Sequence, residues 1–166
     1  MDVTAPRTIA TDVAQEDDDI EYASWWRRSV ALLIDGVIVT IVTLVIFFVV
    51  GIVVGLGGAA RAGRPAAVES LSALFFIGYF VIPALYFVAG NGLGATVGKS
   101  MLGIRVRRDD DDEPIGLVRS FLRYVVPVGF AALLLVPYLV DYLWPLWDSR
   151  NQSLHDKVAG SIVVRV

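Results

Sequence analysis

The sequence predicts an all-α membrane protein with two transmembrane helices, a third apolar segment interrupted by proline, and a short two-stranded β pair on the cytoplasmic face. Hydrophobic residues make up 56% of the 166 residues and charged residues only 19%, too apolar a balance for one soluble core. The apolar residues also form long blocks rather than helical or strand periods. A spanning helix needs about 20 such residues, so the lipid bilayer is the expected surroundings of the chain.

The first apolar block, residues 29–54, predicts a transmembrane helix despite its single charged residue, Asp35. Nineteen of its residues are Val, Ile, Leu or Phe. Together they favour insertion by roughly 6 to 11 kcal/mol, whereas one Asp costs about 3 kcal/mol. The block therefore inserts with Asp35 in place.

The second block, residues 71–89, has no charged residue and ends at the breaker sequence Gly90-Asn-Gly. It predicts a second spanning helix, with Pro83 as a point of bending. The third block, residues 121–147, is apolar but contains two charged residues and three prolines: Arg123, Asp141, Pro127, Pro137 and Pro145. One option is a straight span, and the other is a proline-broken or re-entrant helix.

The distribution of Lys and Arg predicts a cytoplasmic N-terminus and a cytoplasmic second loop. Three straight spans would put the basic C-terminal segment on the opposite side, which a re-entrant third block avoids. The segments 104–107 and 161–166 are β-branched and partly alternating, and pairing them as strands requires both on one side. The alternative is that both are frayed interfacial segments.

The N-terminal 22 residues hold seven of the 17 acidic residues and few large apolar ones, which predicts a disordered acidic tail ahead of a membrane domain at 23–166. A second acidic run, 109–113, lies between the second and third blocks. These two runs carry twelve of the acids, so the net charge of −3 reflects solvated segments rather than an acidic binding face.

Several kinds of chemistry find no support in the sequence. There is no cysteine and only one histidine, His155, so we expect no metal site. No nucleophile with a base stands in a recognisable context, so we expect no enzyme activity. The segment GLGATVGKS departs from a phosphate-binding loop because Leu93 occupies the first glycine position. We therefore expect no cofactor and no nucleic-acid partner.

Arg28 and Asp35 are the charged residues of the first helix that invite a functional interpretation. They lie seven residues apart, or about 10.5 Å along a helix, on nearly the same face. An Asp two turns inside hydrocarbon is costly and usually faces the bundle interior or a water-filled cavity. Asp35 is either paired with a basic residue of the second loop, locking the helices, or part of a site for a proton, a cation or a basic ligand.

Three separated segments resemble, in order, the signatures of the RDD family of small membrane proteins: RRSVALLIDG, GATVGKSMLGIRV and RNQSLHDKVAGSIVV. The resemblance covers about residues 24–166. The family is named for one arginine and two aspartates, which fall on Arg28, Asp35 and Asp156, with Arg27 as the other choice for the arginine.

The resemblance also implies a polar cluster at the cytoplasmic face. Its candidate members for binding an ion or ligand are Arg28, Asp35, Lys99, Arg105 and Asp156. The family's molecular role is largely unsettled, and transport of an ion or small ligand is the usual suggestion. One departure from the family pattern is the acidic run after Arg108, which is longer than the usual short turn.

Two functions follow from these observations. The first is transport of an ion or small ligand across a prokaryotic cell membrane, with Asp35 titrating or binding a cation opposite Arg28 and Lys99. A chain with so few spans offers little wall for a pathway, so we expect a homo-oligomer. The second is a non-transporting membrane scaffold, in which the charged residues lock the fold and an acidic segment recruits a partner.

Overall fold

The structure, a computed structural model, describes residues 20–57 and 64–166. The element order is α1 (Trp25–Gly57), α2 (Arg64–Gly92), α3 (Val97–Met101), β1 (Ile104–Arg108), α4 (Gly116–Leu133), α5 (Leu135–Leu143), a 3-10 turn (Trp144–Leu146), α6 (Leu154–Ala159) and β2 (Ser161–Arg165). The long helices α1 and α2 contain the predicted apolar blocks and extend beyond them at both ends. Pro83 lies inside α2, which continues to Gly92.

The long helices place their apolar side chains outward, as a protein surrounded by lipid does. On α1, for example, Leu44 is 60% exposed and Phe48 is 70% exposed. Within the described residues, three helical stretches are long and apolar enough to cross a membrane: Trp25–Val53, Ser72–Gly92 and Gly116–Leu133. The predicted helical membrane fold is confirmed.

The buried apolar core lies at one end of the helix bundle rather than along its length. It is formed by residues of the first helix, the two strands and the segments beside them: Ala23, Ala31, Ile104, Val106, Ile115 and Val163. Most buried polar side chains lie at this same end of the helix bundle, among them Asp35, Arg123, Asp141 and Asp156. We call this end the polar end.

The third apolar block is two helices rather than one. Helix α4 ends at Leu133, and Leu134 takes an extended conformation (φ −161°, ψ 147°) before α5 begins. Pro137 explains the position of this break, because it has no N–H to donate to the carbonyl of Leu133 one turn earlier. Pro127, by contrast, lies inside α4.

Helix α5 packs back against α4 and returns toward the polar end. The indole N–H of Trp25, at the start of α1, donates to the carbonyl of Tyr142 at the end of α5, 2.8 Å away. A single straight helix over residues 121–147 is therefore wrong: the block is broken at Leu134 and its second part turns back.

The predicted β pair is confirmed. β1 and β2 are antiparallel, with Ile104 opposite Arg165 and Arg108 opposite Ser161. The segment before α1 extends this sheet, since the N–H of Ala23 donates to the carbonyl of Val163 at 2.8 Å and Tyr22 bridges Val164. Both ends of the described chain thus lie on the same face of the protein.

These contacts correct the predicted boundary of the acidic tail. Tyr22 and Glu21, which the sequence analysis assigns to that tail, contact β2, and the carbonyl of Glu21 accepts from the N–H of Arg165 at 2.8 Å. The rest of the predicted tail, residues 1–19, lies outside the described residues.

Candidate ligand site at the polar end

Asp35 is held by uncharged donors. Its carboxylate is buried, with 1% of the residue exposed, and accepts from the Tyr86 hydroxyl at 2.6 Å, the Thr96 hydroxyl at 2.5 Å and the Gly98 N–H at 2.7 Å. Tyr86 in turn accepts from the N–H of Val97 at 3.2 Å. These donors link α1 to α2 and to the start of α3.

Gly98 makes this arrangement possible. A Cβ at this position would lie 2.8 Å from the nearer Asp35 oxygen and still closer to the carbonyl oxygen of Ala31. Any side chain would therefore force α3 away from α1 and lengthen the Gly98 hydrogen bond. The glycine in the second signature segment is required by this close approach.

The expectation that Asp35 pairs with a basic residue is wrong for the described chain. No cationic side chain within residues 20–57 and 64–166 forms an ion pair with Asp35. Arg28 lies two turns away on the same helix and its guanidinium is taken up by Asp156 instead. Neutral donors compensate the buried charge where a counter-charge was expected.

Asp156 is held by two guanidinium groups. It is fully buried, and its oxygens lie 2.6 Å from Arg28 Nη1 and 2.6 Å from Arg123 Nη2. It also accepts from the N–H of Ser153 at 3.1 Å, completing a capping box at the start of α6. Burial opposes its ionisation, but Arg123 and Arg28 together hold the pKa of Asp156 well below its usual range.

A third buried carboxylate, Asp141, fastens α5 to α6. One of its oxygens accepts from the backbone N–H of His155 at 2.8 Å, and the other lies 2.6 Å from His155 Nδ1. In the sequence, Arg123 and Asp141 stand out only as interruptions of the third block. Their charges in an apolar segment were the signal that they belong to the site.

A cavity of about 370 Å³ lies between α1 on one side and α4 and α5 on the other. Its charged lining residues are Arg28, Asp35, Lys99 and Arg123. Its aromatic lining residues are Trp25, Phe87, Tyr124, Tyr138 and Tyr142.

Lys99 reaches the cavity from α3 and hydrogen-bonds to the side-chain oxygen of Asn91. Burial lowers the pKa of Lys99 well below its usual value, and the charges of Arg123 and Arg28 lower it further. The carboxylates of Asp156 and Asp35 only partly offset this effect.

The structure brings together four of the five predicted site residues, Arg28, Asp35, Lys99 and Asp156. Arg105 lies apart, because Ile104 and Val106 on either side of it are buried and strand alternation turns Arg105 outward. Arg27 donates to the carbonyl of Leu102 at 2.9 Å rather than to an aspartate of the cluster. Arg28 is therefore the arginine that meets Asp156.

The acidic run at 109–113 is paired within the chain. Four of its aspartates each contact a different arginine: Asp109 with Arg150, Asp110 with Arg119, Asp111 with Arg108, and Asp112 with Arg107. The aspartates of this loop therefore neutralise arginines that lie near it in the folded chain.

Apolar helices with a buried charged cluster at one end define an α-helical integral membrane protein. The sequence model of the RDD family matches residues 22–160, and the chain belongs to that family. No solved structure matches it.

The chain is similar to the proline-rich antigen homolog of Mycobacterium tuberculosis, in strains CDC 1551 / Oshkosh and H37Rv. The identity is 31% over 74 residues, which are 45% of this chain and 29% of the relative. It is also similar to the proline-rich antigen of Mycobacterium leprae, 27% identical over 73 residues, or 44% of this chain and 28% of that protein. The matched region thus spans less than a third of these relatives.

Proposed function

We propose that the protein binds an ion or small ligand in the cavity at its polar end and carries it across the membrane. The cavity itself carries this proposal. At about 370 Å³ it falls in the range of small-molecule sites, and charged and aromatic groups share its wall. Side chains that served only to lock helices together would be expected to fill that space, because protein interiors are close-packed.

The Lys and Arg distribution supports a cytoplasmic position for the polar end, in the plasma membrane of a prokaryote. The mycobacterial origin of the relatives is consistent with this location. Within its described residues a single chain offers three stretches long and apolar enough to cross a membrane, which supports a homo-oligomer as the transporting unit.

In this proposal Asp35 holds the wall of the cavity rather than binding a cation. Three donors already occupy its oxygens, which leaves little room for a metal ion or a proton. The groups with spare hydrogen-bonding capacity toward the cavity are cationic, Lys99 above all.

Flux through proteoliposomes tests transport. Vesicles containing the full chain would be screened with sodium, potassium, chloride, phosphate, acetate, amino acids and the amphiphilic anion phosphatidate. Leu32 lines the cavity, so Leu32→Trp fills it and should lower any saturable flux by about tenfold or more. Leu44→Trp is the matched control, because Leu44 lies on the exposed face of the same helix and should leave the flux unchanged.

The carboxylates of Asp35 and Asp156 already have their partners within the chain, which favours a second candidate. This is a non-transporting scaffold in which the buried charged residues only hold the helices together. Since four of the five acids of the 109–113 run are engaged by arginines, recruitment would then fall mainly to residues 1–19. A scaffold predicts no flux for any solute in the screen. That result, or a flux that Leu32→Trp leaves unchanged, would contradict transport through the cavity.

A further inference from the structure

We propose that the cavity receives the head of an anionic amphiphile, a carboxylate or phosphate group on a hydrocarbon chain, and that the chain lies in a groove along α1. This inference rests on the proposed function, because it names the class of ligand that the cavity takes.

The unused hydrogen-bonding capacity at the cavity is that of donors. Lys99 has three N–H donors and one partner, the Asn91 side chain. Arg28 Nη2 is buried and, among the described residues, has no hydrogen-bond acceptor. The carboxylate that lines the cavity, Asp35, already accepts three hydrogen bonds. A ligand that supplies acceptor oxygens fits this wall, and one that supplies donors does not.

Charge points to the same ligand. The residues lining the cavity include three cationic side chains, those of Arg28, Lys99 and Arg123, and one carboxylate. Asp156 is shared between the two arginines, so it leaves part of their charge uncompensated. Lys99 forms no ion pair with a carboxylate within the described chain. Burial and both guanidiniums disfavour its charged form, and Asp156 and Asp35 offset this only in part. A bound anion would supply its missing counter-charge.

The apolar part of the ligand follows from how the cavity opens. Leu32 lies one turn beyond Arg28 on α1, and Val128 lies beyond Arg123 on α4. These two lining residues are 38% and 42% exposed, so part of the cavity wall beyond the two arginines is apolar and opens toward lipid. A hydrocarbon chain gains free energy by contact with such apolar surface, whereas a water-soluble ion does not.

A shallow groove continues this opening along α1. It runs from Ser29 and Leu32, which also line the cavity, to Thr40 and Ile41. Twelve residues of helix correspond to about 18 Å, enough to lie beside most of one leaflet. Gly36 forms part of its floor, and a Cβ there would meet no atom within 4 Å. The groove is thus continuous with the charged site and open along its length.

Quenching of tryptophan fluorescence by a brominated fatty acid tests the inference in a Val37→Trp variant, because bromine quenches on contact, the bromines lie midway along the chain, and Val37 lines the groove. The full chain in neutral detergent would be titrated with dibromostearate and with its uncharged methyl ester. We expect saturable quenching by the acid with an apparent affinity about tenfold or more above that of the ester. Brominated phosphatidate should likewise exceed brominated phosphatidylcholine.

Variants distinguish binding of the charged head in the cavity from binding of the hydrocarbon chain in the groove. Lys99→Gln should reduce the preference for the acid by about tenfold, whereas Lys99→Arg, which keeps the charge, should retain it. Arg105→Gln removes the same charge outside the cavity and should have no effect. Gly36→Leu fills the groove and should weaken acid and ester alike. Gly51→Leu, equally unobstructed on the same helix, should weaken neither.

Two results would overturn the inference. Equal quenching by acid and ester would mean ordinary contact with surrounding lipid. Displacement of dibromostearate by phosphate or acetate at matched concentration would mean that a soluble anion suffices.

Either result leaves the proposed function standing if a screened solute crosses the vesicles and Leu32→Trp stops it. Conversely, selective binding of dibromostearate without flux of any screened solute or brominated lipid would reject transport while supporting the site.

Discussion

Asp35 and Asp156 are two buried aspartates at the same end of the protein, and the chain satisfies them in opposite ways. Asp35 is surrounded by two hydroxyl groups and one backbone N–H. Asp156 is clamped between Arg28 and Arg123. The hydrogen bonds to Asp35 join three helical segments without a counter-charge. The position of Asp156, by contrast, depends on the positive charges of the two arginines. Equal burial therefore does not imply equal sensitivity to loss of the carboxylate charge.

The largest expected effect comes from neutralising the carboxylate between the two arginines. Asp156→Asn leaves two buried guanidiniums without an anion, and breaking a buried charge pair in this way costs roughly 3 to 5 kcal/mol of folding free energy. Unfolding of the purified protein in mixed micelles would measure the loss.

Asp110→Asn is the control for this substitution, because its ion pair with Arg119 spans 3.4 Å and its side chain is 62% exposed. That change should cost less than about 1 kcal/mol. Similar losses of folding free energy for the two variants would show that the buried ion pairs of Asp156 stabilise the protein no more than an exposed one.

Lowering the pH tests the contribution of the Asp156 charge to stability without a substitution. Because the pKa of Asp156 is lowered in the folded protein, its contribution to stability is fully present above the unfolded value of about 3.9. It is lost as the pH falls below that value toward the folded pKa.

We therefore expect a steady melting temperature between about pH 7 and pH 5 and a fall below about pH 4. Other aspartates, such as Asp148, also have a lowered pKa, so the informative quantity is the difference between wild type and Asp156→Asn. An acid-induced fall of equal size in both proteins would contradict the assignment.

Of the two buried aspartates, the one held by neutral donors is expected to show the smaller effect. In Asp35→Asn the amide oxygen still accepts from Tyr86 and Gly98, and the Thr96 hydroxyl can rotate to accept from the amide N–H. The expected loss is less than about 2 kcal/mol.

Asp35→Leu leaves all three donors without an acceptor and should cost clearly more than Asp35→Asn. The same unfolding measurement compares them. A loss for Asp35→Asn as large as that of Asp156→Asn would mean that the charge of Asp35, and not its hydrogen bonds, holds the helices.

The membrane helices and the strand pair were predictable because their causes are local. A bilayer demands long apolar blocks, and β-branched alternation within a few residues indicates a strand. The break at Leu134 was harder to place, since it lies between prolines and depends on a missing N–H three residues later.

The partners within the site were not predictable from spacing. Arg28 and Asp35 share a helix face, yet Arg28 meets Asp156, 128 residues further along. The family resemblance grouped these residues correctly but included Arg105. The apolar neighbours of Arg105, Ile104 and Val106, already indicated that it faces outward. The donors to Asp35, among them Tyr86, carried no signal because a tyrosine in an apolar helix is unremarkable.

The separation between Arg28 and Asp156 also sets an order of events during synthesis. At about 5 to 20 residues per second, the ribosome needs roughly 6 to 26 s to make the 128 residues between them. Throughout that interval α1 carries an arginine whose carboxylate partner does not yet exist. Helix α6 and β2 then supply the missing carboxylate and the strand that pairs with Ala23. A nascent chain stalled before α6 therefore presents Arg28 without its carboxylate partner.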